Sequence, residues 1–341
     1  MEAARAQGDG VCARVAIAGT AGHVLDFDDT YAQGLAHLSA PVAPAALVLG
    51  AARGAGEEDV LAAYAAGFEA MGALARASHP ALYERGWHPT AVCGPLGAAV
   101  AAGSLLGLEG ERLEVARALS LLAGAGLQAA FGSDGKALQV GSAAAAGVRA
   151  ALAAEAGARA PLAPVASAFE RAYGGRWAEP EAGERAIDRN WLKPWPCCLQ
   201  THSAIEAAAG LALAEGEGVS VRVHPISLRA AHVGIPADGL EAKFSIPYTV
   251  AHSLLHGPPG VEAFRRLDGE VLAIARAIDV TPDPSLPESA AVVRCGDAEA
   301  RVEAALGSPE RPLSPEAAAA KRQALGAPAG DPLALPPALG G

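Results

Sequence analysis

Apolar residues in the first half of the chain recur every three or four positions, the spacing of amphipathic helices. The clearest case is residues 57–75, where Glu57, Glu58 and Asp59 suit the positive first turn of a helix. The apolar positions of this helix are Leu61, Tyr64, Phe68, Met71 and Leu74. Similar runs, most of them punctuated by glycine, predict further helices at 41–52, 91–106, 112–130, 140–156 and 201–215.

The pattern changes after about residue 190. Trp191–Cys198 contains two prolines and two tryptophans, which excludes a regular helix there. Alternation of apolar and polar residues predicts strands at 219–223, 292–295 and 300–304, with a short helix at 249–256. A last helix is predicted in SPEAAAAKR, followed by a loose tail rich in Pro, Gly and Ala. We therefore expect a mainly helical first part, a smaller α+β part and a helical return.

The amino-acid composition and charge reduce the number of function classes that fit the chain. Hydrophobic residues make up 51% but aromatic residues only 4%, so a core of Ala, Leu and Val in close-packed helices is expected. The net charge of -11 argues against nucleic acid or an anionic membrane as partner.

Ala91–Leu108 is apolar enough to suggest a membrane span, but its Ala and Gly content and Pro95 disfavour one. The five cysteines form neither a disulfide framework nor a metal motif, which fits a cytoplasmic protein.

Lysine is rare in this chain. Lys and Arg together number 26, and the only lysines are Lys136, Lys193, Lys243 and Lys321. A desolvated ammonium can lose its proton and act as a general acid or base, which arginine cannot do, so each lysine is a candidate. Lys136 is the strongest, because Asp134 is the only other charged residue between Ala118 and Val148. We expect Lys136 either at a loop tip in water or lining a site.

Acidic residues and histidines mark two further candidate segments. Asp26, Asp28 and Asp29 follow His23 and precede His37, so they are able to ligate a metal or hold a catalytic group. The simpler interpretation is an acidic turn at a helix end, because the spacing of a hard-cation loop is absent. His88 lies just before an apolar helix, whose N-terminus can face an anion, although a half-buried structural histidine is the alternative.

The remaining candidates surround the lysines. Glycine-rich turns around Lys136, over 132–141, indicate a loop close to a ligand, without the spacing of a phosphate loop. Lys193 begins a rigid segment that runs to His202. In 241–248, Lys243 is most simply an ion-pair partner and Tyr248 a core residue. Motifs of serine hydrolases, cysteine nucleophiles and metalloproteases are absent from the sequence.

Taken in order, these segments resemble the MmgE/PrpD family, which includes 2-methylcitrate dehydratase, cis-aconitate decarboxylase and iminodisuccinate epimerase. The family motifs D-F-D-D-T, H-x-S-A-P-V, G-[FW]-H-P-T, K-P-[YW]-P-C-C-x-x-T-H and L-E-A-K-F-S-[LI]-P-Y match residues 26–30, 37–42, 86–90, 193–202 and 240–248. The late Pro-Leu-Ser at 312–314, with Lys321 in the next helix, also has a counterpart. The resemblance therefore extends over nearly the whole chain.

This resemblance implies a mainly α fold, with a large helical domain made from both chain ends (1–190, with 308–341 returning to it) and an inserted α+β lid (191–307). It also implies a homodimer and a site without metal or cofactor in the cleft between the two domains, binding a small polycarboxylate. The implied catalytic residues are Asp26, His37, His88, Lys136 and Lys193. The implied substrate-binding residues are Thr30, Gln139, His202, Lys243 and Tyr248.

The activities of the family share proton movement next to a carboxylate. Lys136, Lys193, His37 and His88 would pair with the substrate carboxylates, and one His or Lys would move the proton, which contributes about 10²–10⁴-fold. Asp26 would orient His37 or Lys136, and Thr30 would bind substrate, while the assignment of acid and base stays open. We expect a metal-independent lyase of the dehydratase type. The alternatives are a decarboxylase, an epimerase, or a truncated, catalytically silent carboxylate-binding protein.

Two departures from the family pattern affect this expectation. Many members have Lys-Pro-Leu-His-x-Gly-Arg where this chain has 136–142, so Gln139 and Ser142 replace a His and an Arg. Losing a guanidinium fork predicts a substrate with fewer or differently placed carboxylates, which weakens the 2-methylcitrate interpretation. The chain also begins almost at the first motif, whereas relatives carry further N-terminal helices, so we expect a helical domain that is short at its N-terminus.

Overall fold

A computed structural model describes residues 10–213 and 218–326 of the 341-residue chain. The structure is mainly helical with small sheets, which confirms the predicted fold class. The helices of the first half are α1 Val11–His23, α2 Ser39–Arg53, α3 Glu57–Ser78, α4 Ala81–Glu84, α5 Pro89–Leu105, α6 Gly110–Leu121, α7 Asp134–Glu155 and α8 Leu162–Tyr173. Those of the second half are α9 Leu199–Ala209, α10 Pro225–Ala230, α11 Gly239–Ala242, α12 Ile246–His256, α13 Gly269–Ala275 and α14 Pro315–Ala324.

The strands form two sheets. They are β1 Thr30–Tyr31, β2 Asn190–Trp191, β3 Val219–Val223, β4 Ile278–Pro282, β5 Ala291–Cys295 and β6 Ala298–Val302. The larger sheet has the order β4-β3-β5-β6, with β3 parallel to β4 and antiparallel to β5. The smaller sheet pairs β1 with β2, so that Thr30 lies opposite Trp191. This short pairing joins the acidic segment near residue 26 to the start of the predicted lid.

Helix α7 lies at the centre of the first half and packs against α1, α5 and α6. Gly141 makes the approach to α1 possible, because a Cβ there would lie 2.2 Å from Thr20 Oγ1 and 2.3 Å from the Ala16 carbonyl oxygen. Gly147 likewise allows α7 to approach α5, because a Cβ at position 147 would lie 2.4 Å from the Pro95 carbonyl oxygen. The apolar run around Lys136 is therefore a core helix whose first turn carries a lysine.

The predicted boundaries of two helices in this region are wrong. The helix predicted at 112–130 ends at Leu121, because Gly124 and Gly126 break it; Gly126 has a φ of 143° that only glycine adopts readily. The helix predicted at 140–156 begins earlier, at Asp134, where the Ser133 hydroxyl caps it by accepting from the Gly135 N–H. The glycines around Lys136 therefore start a helix, which places the lysine in its first turn.

In the second half, the strands predicted at 219–223, 292–295 and 300–304 are present within two residues of their boundaries. The helix predicted at 201–215 ends at Ala209. Strand β4 was not predicted, because its partner β3 lies far away in sequence and supplies its hydrogen bonds. The tail beyond residue 326 lies outside the described residues, and the division into domains at residues 190 and 307 stays a prediction.

The two halves have separate apolar cores. The first is built from helices α2, α3 and α5, where Phe68, Met71 and Leu74 are fully buried as predicted, while Leu61 is 43% exposed. The second surrounds β3, α9 and α12 and contains larger branched and aromatic residues, including Ile205 and Tyr248. The two cores meet where the candidate site lies.

Two helices have the apolar character of a membrane span. The stretch Ala91–Leu108 forms α5, which is buried in the helical core. Of the described helices, α7 meets the length and hydropathy of a membrane span, and 67% of that window is buried inside the protein. Both helices thus use their apolar surface for packing against their neighbours.

Candidate active site

The centre of the site is the turn that follows α1. Asp26 adopts a left-handed backbone with a φ of 54°, which is unusual for a residue other than glycine. Its carboxyl group is buried, and the β1–β2 pairing brings the segment around Lys193 alongside it. The other such residue among those described is Leu35, with a φ of 45°, and it lines the same cavity. Strained backbone of this kind accompanies functional sites.

Asp26 is held between two lysines. Lys136 donates to Asp26 Oδ1 from the first turn of α7. Lys193 Nζ lies 3.2 Å from Asp26 Oδ2 and donates to the Asp26 carbonyl oxygen at 3.0 Å. Burial works to raise the pKa of Asp26, but the two ammonium groups outweigh it and hold that pKa well below its usual value. Burial likewise works to lower the pKa of Lys193, and Asp26 reverses this, so the pKa of Lys193 is raised.

All four lysines of the chain reach the segment 24–27. Lys243 donates to the Val24 carbonyl oxygen at 3.1 Å. Lys321, on α14, donates to the carbonyl oxygens of Phe27 at 2.7 Å and of Lys193 at 2.9 Å. Burial lowers the pKa of Lys243 and brings the pKa of Lys321 to about 8. The rare lysines of the sequence therefore form one cluster of cations around Asp26.

His37 is fixed by oxygen atoms around its Nδ1. That nitrogen lies 2.8 Å from the Asp29 carbonyl oxygen, 3.3 Å from Thr30 Oγ1 and 3.4 Å from Asp28 Oδ2. Burial holds the pKa of His37 well below its usual value, although Asp28 opposes this. Of the two partners predicted for Asp26, the structure pairs it with Lys136, whereas His37 contacts Asp28, Asp29 and Thr30 instead.

His88 precedes α5, and its ring forms part of the cavity wall. Its Nδ1 lies 2.6 Å from Gln139 Nε2, whereas its Nε2 is buried and has no hydrogen-bond partner among the described residues. Burial is the main reason that the pKa of His88 is well below its usual value, with His23 and Lys136 adding to the effect. Both site histidines are therefore neutral near pH 7.

His23, Asp28 and His37 offer three ligand atoms within 4.8 Å of one another. His23 Nδ1 lies 2.7 Å from Asp28 Oδ2, which is a hydrogen-bond distance. Ligand atoms around a tetrahedral zinc ion lie about 3.3 Å apart, from bond lengths of about 2.0–2.1 Å. The contacts fit a hydrogen-bonded network better than a metal site, and the absence of a metal stays a prediction.

A small cavity of about 40 Å³ lies next to Asp26. Its polar lining comprises Asp26, Thr30, His37, Tyr83, His88, Lys136, Cys198 and Gln200, and its apolar lining comprises Leu35, Phe131, Leu199, Ala230 and Phe244. Three helices start beside it, namely α5 after His88, α7 just before Lys136 and α9 at Leu199. Helix N-termini carry a partial positive charge and unpaired N–H groups, so these starts favour an anion in the cavity.

A larger depression of about 420 Å³ lies elsewhere, beside Tyr31, Glu69 and Arg76. Its charged residues largely pair with one another, because Arg76 contacts Glu181 and Glu184 while Arg185 contacts Asp188. The site chemistry is at the smaller cavity, where the lysines and histidines converge.

Not every predicted site residue reaches this cavity. His202 is fully buried, with Nε2 3.3 Å from the Cys197 carbonyl oxygen and its ring against Trp195. Tyr248 lies in the core of the second half, where its hydroxyl contacts the Ala263 carbonyl and the Asp268 N–H. Gln139 contacts His88 and Leu127, and Lys243 contacts Val24, so both act behind the cavity wall. None of these four residues lines the cavity, and their substrate-binding roles stay predictions.

The sequence analysis missed other residues of the site. His23 stacks on His88 with ring centroids 5.8 Å apart and pairs with Asp28. Lys321 reaches the central turn from α14, and Phe131 and Phe244 stack on each other beside Lys136. The rarity of lysine was a signal for Lys321, whereas the aromatic residues had none beyond their apolar character.

Comparison with known proteins finds matches in both halves of the chain. The model of the MmgE/PrpD N-terminal domain matches residues 13–175, and that of the C-terminal domain matches residues 195–332. The chain belongs to the MmgE/PrpD family. It is 28% identical over 280 residues to a cis-aconitate decarboxylase from Homo sapiens, an alignment that covers 72% of this chain and 56% of that protein. The chain thus spans little more than half the length of this relative. The family is of the lyase type, as the sequence motifs predicted.

Proposed function

We propose that this protein is a metal-independent lyase that acts on a small di- or tricarboxylic acid by moving a proton next to a carboxylate. The observation that carries the proposal is the convergence of Lys136 and two neutral histidines on one cavity whose back wall is the lysine-bound Asp26. Cations, proton-transferring groups and an enclosed space then meet at a single place in the fold.

The charge of the site favours an anion. Four lysines surround the turn, against the three carboxyl groups of Asp26, Asp28 and Asp29. Burial raises the pKa of Asp29 to about 6, so the excess of positive charge grows as the pH falls below that value. Ammonium groups and helix N-termini in a buried site offset the cost of desolvating a carboxylate. The cavity therefore supports binding of an organic acid.

The histidines supply the chemistry. A buried neutral imidazole is able to take or give a proton at a substrate atom, and such a group contributes about 10²–10⁴-fold to a rate. The apolar wall formed by Phe131 and Phe244 excludes water, which strengthens the interaction between Lys136 and a bound carboxylate.

The volume of the cavity indicates that binding requires movement. A space of about 40 Å³ is small compared with the roughly 300–1,000 Å³ of typical small-molecule sites. A di- or tricarboxylate is larger, so the residues contributed by α9 and by 230–244 must move away from the helical half for substrate to enter. Closure afterwards would shield the reaction from water.

Dehydration is the reaction expected from the sequence motifs, and decarboxylation is the second candidate. Decarboxylation is favoured by the 28% identity to a cis-aconitate decarboxylase and by the replacement of a family Arg by Ser142, which suits fewer substrate carboxylates. An oligomer of two copies and a cytoplasmic location remain proposals that accompany either reaction.

The test is to incubate the purified protein with citrate-, aconitate-, malate- and aspartate-like acids and to identify products by mass spectrometry. Loss of water or of carbon dioxide from one acid, lowered by about 10²–10³-fold in Lys136→Met and His88→Ala while both variants stay folded, supports the proposal. Thermal stabilisation by an acid without any product would overturn it in favour of a binding protein. The mass change distinguishes dehydratase from decarboxylase.

A further inference from the structure

The two cavity histidines are held in opposite ways, and the difference begins at Gln139. The side-chain amide of Gln139 lies between His88 and the backbone of Leu127. Its Oε1 accepts from the Leu127 N–H at 3.0 Å, and its Nε2 lies 3.3 Å from the Leu127 carbonyl oxygen. Rotating the amide by 180° would place two donors against each other and two acceptors against each other. Leu127 therefore fixes which end of the amide faces His88.

The end that faces His88 is the NH₂ group, with Nε2 2.6 Å from His88 Nδ1. An amide NH₂ only donates, so His88 Nδ1 must accept. A neutral imidazole that accepts at Nδ1 carries its proton on Nε2. A second proton on Nδ1 would point at the Gln139 NH₂ group, so Gln139 opposes formation of an imidazolium. Nε2–H of His88 is left buried and without a partner among the described residues, which is costly unless a ligand accepts it.

His37 has the reverse arrangement. Its Nδ1 faces the carbonyl oxygen of Asp29, which only accepts, so Nδ1 carries the proton. Thr30 Oγ1 and Asp28 Oδ2 lie on the same side of the ring. The free Nε2 of neutral His37 is therefore a base. When Nε2 gains a proton, the imidazolium keeps its Nδ1–H bond and gains attraction from Asp28.

We propose that the two histidines divide the reaction: His37 carries the proton, and His88 remains a neutral hydrogen-bond donor. Gln139 is then a positioning residue that sets the tautomer of His88, rather than a substrate ligand. The inference rests on the proposed function and deepens it, since it assigns roles that the sequence left open. The charged and titratable groups that face His88 are His23, Asp26 and Lys136, and those that face His37 are His23, Asp26, Asp28, Lys136 and Lys193.

One proton carrier suffices for either lyase reaction. In dehydration, His37 Nε2 takes the proton from the carbon next to a carboxylate, and the C–H electron pair forms the double bond as the C–O bond breaks. The leaving hydroxyl then takes that proton from His37 and departs as water. In decarboxylation, His37 Nε2 first takes a proton from a hydronium ion of the solvent, which leaves water. The C–C bond then breaks, CO₂ leaves, and the electron pair on carbon takes that proton, which returns His37 to its neutral form. In both cases His88 Nε2–H bonds to the oxygen on which negative charge accumulates.

The tautomers are measurable without substrate. Two-bond ¹H–¹⁵N correlation spectra of the unliganded protein at neutral pH distinguish a protonated ring nitrogen from a bare one. The signals are assigned by their loss in His37→Gln and His88→Gln. We expect the proton on Nδ1 of His37 and on Nε2 of His88, and Gln139→Met should make His88 lose its fixed tautomer. A proton on Nδ1 of wild-type His88, or a charged His88 at neutral pH, would overturn the inference.

Activity variants test the division of roles. His88→Ala loses a donor and should lower kcat by about 10²–10³-fold. His88→Gln keeps an amide N–H close to the position of Nε2–H, so it should recover at least about tenfold of that loss. His37→Gln cannot carry a proton and should fall as far as His37→Ala, by about 10²–10⁴-fold. Rescue of His37 by Gln together with no rescue of His88 would contradict the assignment.

The pH profile gives a second readout. In Gln139→Glu the carboxylate accepts from Nδ1–H, so His88 becomes able to charge, and the profile of kcat should gain an ionisation that wild type lacks. The exposed Gln323→Glu is the matched control and should leave the profile unchanged. An unchanged profile in Gln139→Glu counts against the inference. If wild type converts no acid at all, the proposed function fails, while the spectra still decide the tautomers.

Discussion

The two halves of the molecule contribute different things to the same cavity. From the helical half come the charged and titratable groups Asp26, His37, His88 and Lys136, on elements packed through alanine and glycine. From the second half come mainly Leu199, Ala230 and Phe244, which cover the cavity with apolar surface. The lysines of the second half, Lys193, Lys243 and Lys321, contact the central turn but do not line the cavity.

This difference indicates that the helical half supplies the charged and titratable groups, whereas the second half covers the cavity. Groups that need fixed geometry lie on tightly packed helices, where neighbouring backbone restricts their movement. Under the proposed function, the second half moves to admit substrate, covers the cavity with apolar surface and does not carry the proton. Variants on either side of this division should therefore differ in effect, and the largest difference is expected closest to the buried charges.

The largest effect is expected at the centre of the turn. Asp26→Asn leaves Lys136 and Lys193 buried without their counter-charge, so the free energy of unfolding should fall by about 3–5 kcal/mol. Urea denaturation followed by circular dichroism measures this change. The exposed ion-pair variant Asp188→Asn is the control and should change stability by about 1 kcal/mol or less. Equal effects of the two variants would contradict the role of Asp26 as the buried counter-charge of the two lysines.

The next prediction compares one lysine from each half. Lys136→Met removes the ammonium that faces the cavity and should lower kcat/KM by about 10²–10³-fold, the size expected for losing one preorganised charge-stabilising group. Lys243→Met removes a contact to the Val24 carbonyl behind the wall, and its loss of about one hydrogen bond predicts a decrease of about tenfold. Steady-state kinetics with the acid that the protein converts compare the two variants. A larger effect at Lys243 would contradict the division.

A pH-dependent effect is expected at Asp29. Burial raises the pKa of this group from 3.8 to about 6, so the folded protein binds more protons than the unfolded chain between these values. The contribution of Asp29 to stability is therefore present at low pH and is lost as pH rises from about 4 to about 6. From pH 4 to pH 7, the free energy of unfolding of Asp29→Asn should therefore rise by about 2–3 kcal/mol relative to that of wild type. Denaturation at both pH values measures it, with the exposed Asp279→Asn as control.

The smallest effect concerns the packing of α7 on α1. Gly141→Ala places a Cβ against Thr20 and the Ala16 carbonyl and should lower the free energy of unfolding by about 1–3 kcal/mol. Gly210→Ala at the end of α9 meets its nearest atom at 3.6 Å and should be within about 0.5 kcal/mol of wild type. Thermal denaturation compares the two, and tolerance of alanine at 141 would show that the helical half is less tightly packed than described.

The fold was largely predictable because its helices and strands follow local patterns. The periodic apolar residues of α3 and the alternating valines of β3 each encode their element within a short window. The errors arose where tertiary contacts decide. Strand β4 depends on a distant partner, and the start of α7 at Asp134 depends on a cap that glycine-rich sequence concealed.

The site was predictable to the extent that chemistry marked it. Lysine stood out against an arginine-rich background, so all four lysines were candidates, but the implied site included Lys136, Lys193 and Lys243 and left out Lys321. Family motifs also pointed to His202 and Tyr248, which belong to the core of the second half, because a motif does not distinguish packing from catalysis. The partner of a histidine ring nitrogen, such as Gln139 for His88, depends on the geometry of side chains far apart in sequence.

The contacts of all four lysines with one short turn have a consequence for substrate entry. Lys136 and Lys193 contact Asp26, and Lys321 contacts the carbonyl oxygen of Phe27, although the three lysines come from separate regions of the chain. Under the proposed function, movement of the second half to admit substrate draws Lys193 away from Asp26, whereas Lys136 keeps its contact within the helical half. Substrate entry would then be coupled to the ion pairing of Asp26.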